Sequence, residues 1–104
     1  MTFLLRARPI EPLYQSTRAY LALLAMLGIS VDRKVLDYGL EVSATLDCRM
    51  LGALILDMTV LDEPRIGPTI VHPDYENCGI ESALRANALE FLLAAGCRWV
   101  ELHR

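Results

Sequence analysis

The sequence predicts an α/β fold, a mixed and mainly antiparallel sheet with helices packed on it, and three observations carry that expectation. Residues 40–47 alternate without a break, with Leu40, Val42, Ala44 and Leu46 on one side and Glu41, Ser43, Thr45 and Asp47 on the other. That is the period of a strand with one wet face. Residues 50–56, MLGALIL, form a nearly continuous apolar run, as expected of a strand covered on both faces. Ile80, Leu84, Ala88 and Leu92 then recur at helical spacing. The 104 residues make one domain, with about five strands and three helices expected from these patterns.

In chain order, residues 2–7 read as a short strand, after which Pro9 and Pro12 punctuate the entry to a helix. Pro12 suits a first helical position, where the missing N–H has no partner to lose. Leu13, Thr17, Tyr20, Leu21, Leu24 and Leu27 repeat every three or four places until Gly28 stops the helix. Leu23 and Met26 widen its apolar face; core packing is the expectation, with a partner contact as the alternative. Ser30 suits the N-cap of a shorter helix over residues 31–38, ended by Gly39, with Asp32, Arg33 and Lys34 on a solvated face.

Asp47, Cys48 and Arg49 make the turn between the two strands already described. Gly52 marks either a bulge or a close approach by another element. Residues 65–72 form the next strand, in which Pro68 needs a strand start, a bulge or an unpaired position. Gly79 relieves the backbone before a helix over residues 80–95, closed by Gly96, on which Glu81 and Arg85 form an i,i+4 pair. Residues 98–103 read as the last strand, with Trp99, Glu101 and His103 on one face and Val100 and Leu102 on the other. Strand, helix and strand joined in this way give a right-handed parallel pair.

Composition narrows the function classes. A formal charge of −3 with no basic patch argues against a nucleic-acid binder. The longest apolar run, residues 20–29, is about half of the ~20 residues a membrane-spanning helix needs. Residues 2–5 are too short for the apolar region of a signal peptide, so the expectation is a cytoplasmic protein. Cys48, Cys78 and Cys97 lack metal-like spacing and read as reduced thiols. His72 and His103 are not at ligand spacing either, so no metal is expected. At 54% the hydrophobic fraction exceeds the usual value of about 45–50%, which suggests apolar surface buried between chains.

Residues 71–84, VHPDYENCGIESAL, are where chemistry concentrates, because a strand passes through a turn into a helix N-terminus. Free N–H groups and the positive end of the helix dipole make such a place an anion site. The stretch resembles motif A of the GNAT family, the acyl-CoA-dependent N-acyltransferases, whose pattern runs roughly V-x-P-x-Y-[RQ]-x-x-G-[IV]-[GA]-x-x-L. Val71, Pro73, Tyr75, Gly79, Ile80 and Leu84 match it. The resemblance implies a GNAT-like domain and acetyl-CoA as cofactor, with its pyrophosphate on backbone amides. Ile70, Val71, Asn77, Cys78, Gly79, Ile80, Glu81 and Ser82 are then the cofactor-binding residues.

Two positions depart from the pattern, since Glu76 stands where the family has Arg or Gln and Glu81 where it has a small residue. No Lys or Arg occurs over residues 66–84, and each close like-charge contact with a polyanion costs on the order of 1–4 kcal/mol. The carboxylates either cap the helix themselves or leave the amides to CoA. Many family members use a carboxylate near Gly67-Pro68 to take the acceptor's proton, and neither residue offers such a side chain. In the family the last strand is followed by a further helix and two more strands, the helix usually carrying a tyrosine that protonates the leaving thiolate. The resemblance therefore implies a truncated, degenerate member lacking those C-terminal strands, with no assigned catalytic residue. An unpaired edge on the last strand, residues 98–103, would pair with a second copy or a protein partner. Two functions follow from the resemblance: a module working by protein binding or self-association, and an acyltransferase holding CoA at residues 76–82.

Overall fold

In the computed structural model, which describes residues 7–60 and 62–103, local patterning and long-range packing agree at the centre and diverge at the edges. The chain runs β1 (Ala7–Pro9), α1 (Ile10–Thr17), α2 (Ala19–Met26), β2 (Ser30–Leu36), β3 (Gly39–Leu46), β4 (Arg49–Asp57), β5 (Arg65–Ile66) and β6 (Ile70–Val71). A 3-10 turn (Pro73–Tyr75), α3 (Ile80–Ala94) and β7 (Trp99–Leu102) complete it. The sheet has the order β1-β7-β5-β4-β3-β2, with β6 also paired to β4. Every pairing is antiparallel except β5 with β7, the parallel pair expected across α3. Arg18 keeps right-handed helical angles, so α1 and α2 continue as one arm beside α3.

Leu40, Val42 and Ala44 of β3 and Leu54 and Leu56 of β4 are buried, as the alternation requires. They meet Ile80, Leu84, Ala88 and Leu92 of α3, all at most 1% exposed. Leu24 and Ile10 of the arm join the same core, which places both helical bodies on one face of the sheet. Full burial of each Leu or Ile contributes about 1.5–3 kcal/mol. Gly52 explains how closely α3 approaches. A Cβ there would lie 3.0 Å from the Ile80 Cγ2 and 3.0 Å from the Ile70 carbonyl oxygen. The strand irregularity lies beside it, between Ala44 and Thr45.

Several expectations are corrected. Residues 31–38, read as a helix, contain β2, whose Val31, Arg33 and Val35 alternate with Asp32 and Lys34 and pair with β3 throughout. Its inward positions include a charged residue, which hides the alternation. Seven strands replace about five, partly because residues 65–72 split into β5 and β6, with Pro68 in the gap where no ladder donor is needed. The first helix begins at Ile10, so Pro12 sits third, still in the first turn where N–H groups lack acceptors. The expected strand over residues 2–7 lies outside the described residues except for Ala7.

Face assignments change as well. Among the described residues β4 is covered by helices on one face only: Glu41, Ser43, Ala53 and Ile55 are half-buried on the other face. Leu23 and Met26 are exposed rather than in the core, Met26 at 84%. The last strand carries a ladder on both sides among the described residues: β5 pairs Glu101 and Leu102, and β1 pairs Trp99, Val100 and Glu101. Among the described residues no helix is long and apolar enough to cross a membrane.

The close approach at Gly52 makes a direct prediction. Gly52→Val overfills the contact with Ile80 and Leu84 and should destabilise the fold by about 2 kcal/mol, read as a lower denaturation midpoint at unchanged slope. An unchanged midpoint would mean that α3 does not rest on β4 at this point.

Candidate functional site

The turn between β6 and α3 is built from local hydrogen bonds and two left-handed residues. The Asp74 N–H donates to His72 Nδ1 at 3.1 Å, which starts the 3-10 turn, and the Tyr75 N–H donates to the His72 carbonyl at 2.9 Å. The Tyr75 ring meets His72 edge-on at 5.7 Å and packs against the core. Both aromatic side chains thus shape the turn. Asn77 and Gly79 have φ of 68° and 83°, and Gly79 is the N-cap residue of α3. A left-handed residue followed by helical ones directs successive N–H groups into one concavity, a geometry suited to anions.

The N–H groups of Ile80, Glu81 and Ser82 have no intrahelical acceptor, and no side chain among the described residues caps them. The expectation that the turn's carboxylates cap the helix is thereby corrected. Neither Glu76 nor Glu81 caps the helix; Glu81 accepts from the Arg85 guanidinium at 3.2 Å instead. The charge of Glu81 is thereby answered by a cation lying just beyond the stretch that lacks Lys and Arg. The Arg85 Nε is buried without a hydrogen-bond partner among the described residues. A buried unpaired donor is costly and gains from an acceptor.

These groups line a cleft of about 560 Å³ formed by Tyr20, Thr69, Val71, Tyr75, Glu76, Asn77, Gly79, Ile80, Glu81, Ser82 and Arg85. Of the residues expected to bind cofactor, Val71, Asn77, Gly79, Ile80, Glu81 and Ser82 come together here. Ile70 and Cys78 do not. Ile70 points from the uncovered sheet face and is 75% exposed, and Cys78 turns toward the core. Tyr20, Thr69, Tyr75 and Arg85 line the cleft outside the expected set. Arg85 was visible as the partner of Glu81, but Tyr20 reaches Gly79 from a distant segment and leaves no local signal.

Tyr20 packs so closely on Gly79 that a Cβ at that position would lie 2.4 Å from its Cδ1. The arm therefore forms a wall of the cleft. A second pocket, about 300 Å³, lies between β7 and the loop before β5, with Trp99, Pro64 and Ala7 as mostly apolar lining. It holds no free helix amides. Among the described residues no group of three His, Cys, Asp or Glu side chains converges.

Fold and cleft together define an α/β protein in which, among the described residues, helices cover one sheet face and an uncapped helix N-terminus opens onto a polar cleft. No family model matches the sequence, and no curated protein matches it.

Gly79→Ala should destabilise the protein by about 2 kcal/mol, since it adds left-handed strain to the clash with Tyr20. Tyr20→Ala made in the same background should recover about 1 kcal/mol of that loss, measured as a coupling energy in a double-mutant cycle. Strict additivity would show that the Tyr20 ring does not rest on Gly79.

Proposed function

We propose that this chain is an acyl-CoA-binding module of GNAT-like fold, with the cofactor's pyrophosphate held on the amides of Ile80, Glu81 and Ser82. The observation that carries the reading is the uncapped N-terminus of α3, facing a polar cleft that Arg85 also lines. Four features support it together: the motif-A frame, the left-handed Gly79, the parallel β5 and β7 pair, and the Glu81 to Arg85 bridge. The reading is of binding rather than transfer. Gly67 and Pro68 offer no side chain to take a proton, and no residue of the cleft is assigned a catalytic role.

Calorimetric titration with acetyl-CoA tests this. Saturable binding is expected, and Glu81→Gly should tighten it about fivefold, because a like charge worth on the order of 1 kcal/mol leaves the site and the Arg85 guanidinium is released toward the phosphates. Glu76→Arg should act in the same direction. A folded protein that takes up no acetyl-CoA at millimolar concentration, as wild type and as the double variant, would end the proposal.

A further inference from the structure

The open edge of the sheet is β2, and its sequence is close to complementary with itself. The other edge, β1, ends in Pro9, which has no N–H to offer. β2 has seven residues, SVDRKVL, with no Pro or Gly and an exposed outer side. The backbone groups on that side can be identified from the ladder. The Met58 N–H donates to the Tyr38 carbonyl at 2.7 Å, so Tyr38, Leu40 and Val42 direct their backbone groups to β4, while Gly39, Glu41 and Ser43 direct theirs to β2. The partners of those three, Leu36, Lys34 and Asp32, use their groups on β3. Val31, Arg33 and Val35 therefore turn N–H and C=O outward, and none of these groups has a partner among the described residues.

We propose that two copies of this chain associate by antiparallel pairing of β2 with β2 about a two-fold axis at Arg33. In this register the outward groups of Val31, Arg33 and Val35 meet those of the partner's Val35, the partner's Arg33 and the partner's Val31. Every outward N–H and C=O in the segment gains a partner. Side chains agree on both faces. Asp32 stands opposite the partner's Lys34 and Lys34 opposite the partner's Asp32, while Val31 and Val35 form two cross-strand apolar pairs. A shift by two residues in either direction places like charges or a charge and a valine opposite each other.

Arg33 opposite the partner's Arg33 would be repulsive if both side chains lay free on the edge. They do not. Arg33 Nε donates to the Asn87 side-chain oxygen at 2.6 Å, its Nη2 to the Asn87 carbonyl at 3.1 Å and to Glu90 at 3.3 Å. The guanidinium also lies over the Phe91 ring at 5.5 Å. The charge is drawn back onto α3 and answered there by Glu90, which clears the axis.

Strand pairing alone buries less surface than the roughly 1,200–2,000 Å² of a stable interface. The remainder is at hand. Met26 and Leu27 lie just before β2 and Val35 and Tyr38 at its end, and all four are large apolar side chains left exposed. Antiparallel pairing brings the start of one strand to the end of the other, so Met26 and Leu27 approach the partner's Val35 and the partner's Tyr38. The apolar residues of the arm that find no place in the core thus have a place in the dimer.

The test is sedimentation equilibrium across protein concentration. A concentration-dependent dimer is expected for the wild type. Lys34→Asp sets two like-charged pairs at the interface and should weaken association by about tenfold or more, and Asp32→Lys combined with Lys34→Asp should restore it. Val35→Pro removes an outward N–H unused within one chain and should leave a folded monomer by circular dichroism. If that variant does not fold, the charge exchange still decides the matter. A wild type monomeric at millimolar concentration overturns the proposal, as does a dimer indifferent to Lys34→Asp. A dimer lost in Lys34→Asp and not regained in the double variant overturns the register.

Discussion

The contact between the first turns of α3 and the middle of β4 sets the rest of the structure. Ile80 and Leu84 can lie on the sheet because Gly52 presents no side chain, and that fixes the depth and position of the helix start. Ala83, Ala86 and Ala88, all fully buried, then let the sheet and the arm close on α3 from different sides. With larger residues at those positions the helix would stand away from one of its neighbours. Close packing of this kind leaves little freedom, since interiors tolerate neither voids nor added methylenes without loss of stability.

The cleft inherits its geometry from this contact. A helix whose first residue is pinned in the core holds its free amides in a fixed place, and Tyr20 closes the side that would otherwise be open to water. Preorganised donors of this sort bind an anion without first having to be ordered. The acidic residues of the turn leave those amides uncovered. Glu81 is turned along the helix to Arg85, and Glu76 remains in extended backbone at the cleft wall.

Elements with their signal in neighbouring residues were legible in the sequence. β3, the β3 to β4 turn, α3 and the left-handed Gly79 follow from alternation, helical spacing and backbone freedom; the turn itself carries positive φ at both Asp47 and Cys48. β2 was misread because Arg33 faces the helices, a position that local pattern assigns to an apolar residue, and its explanation lies in Asn87, Glu90 and Phe91. The one-sided cover of β4 was equally hidden. Ile55 and Ile70 look like core residues from composition, and only the placement of both helical bodies on one face shows that they are not. In the cleft, the amides could be named from the motif, whereas Tyr20 and the unpaired Arg85 Nε depend on contacts that no spacing encodes.

The strand order also ranks the steps by which this chain folds. β2, β3 and β4 form a meander closed by two-residue turns, so their ladders cost little chain entropy. Joining β1 to β7 instead brings Ala7 to Glu101, 94 positions along the chain, and each doubling of loop length adds about 0.6 kcal/mol to the cost of closure. The three residue pairs among the described residues repay that cost poorly by themselves. The β1 ladder therefore forms on a core already assembled, and until it does the edge of β7 is exposed in the folding chain, a transient liability that the finished molecule no longer shows.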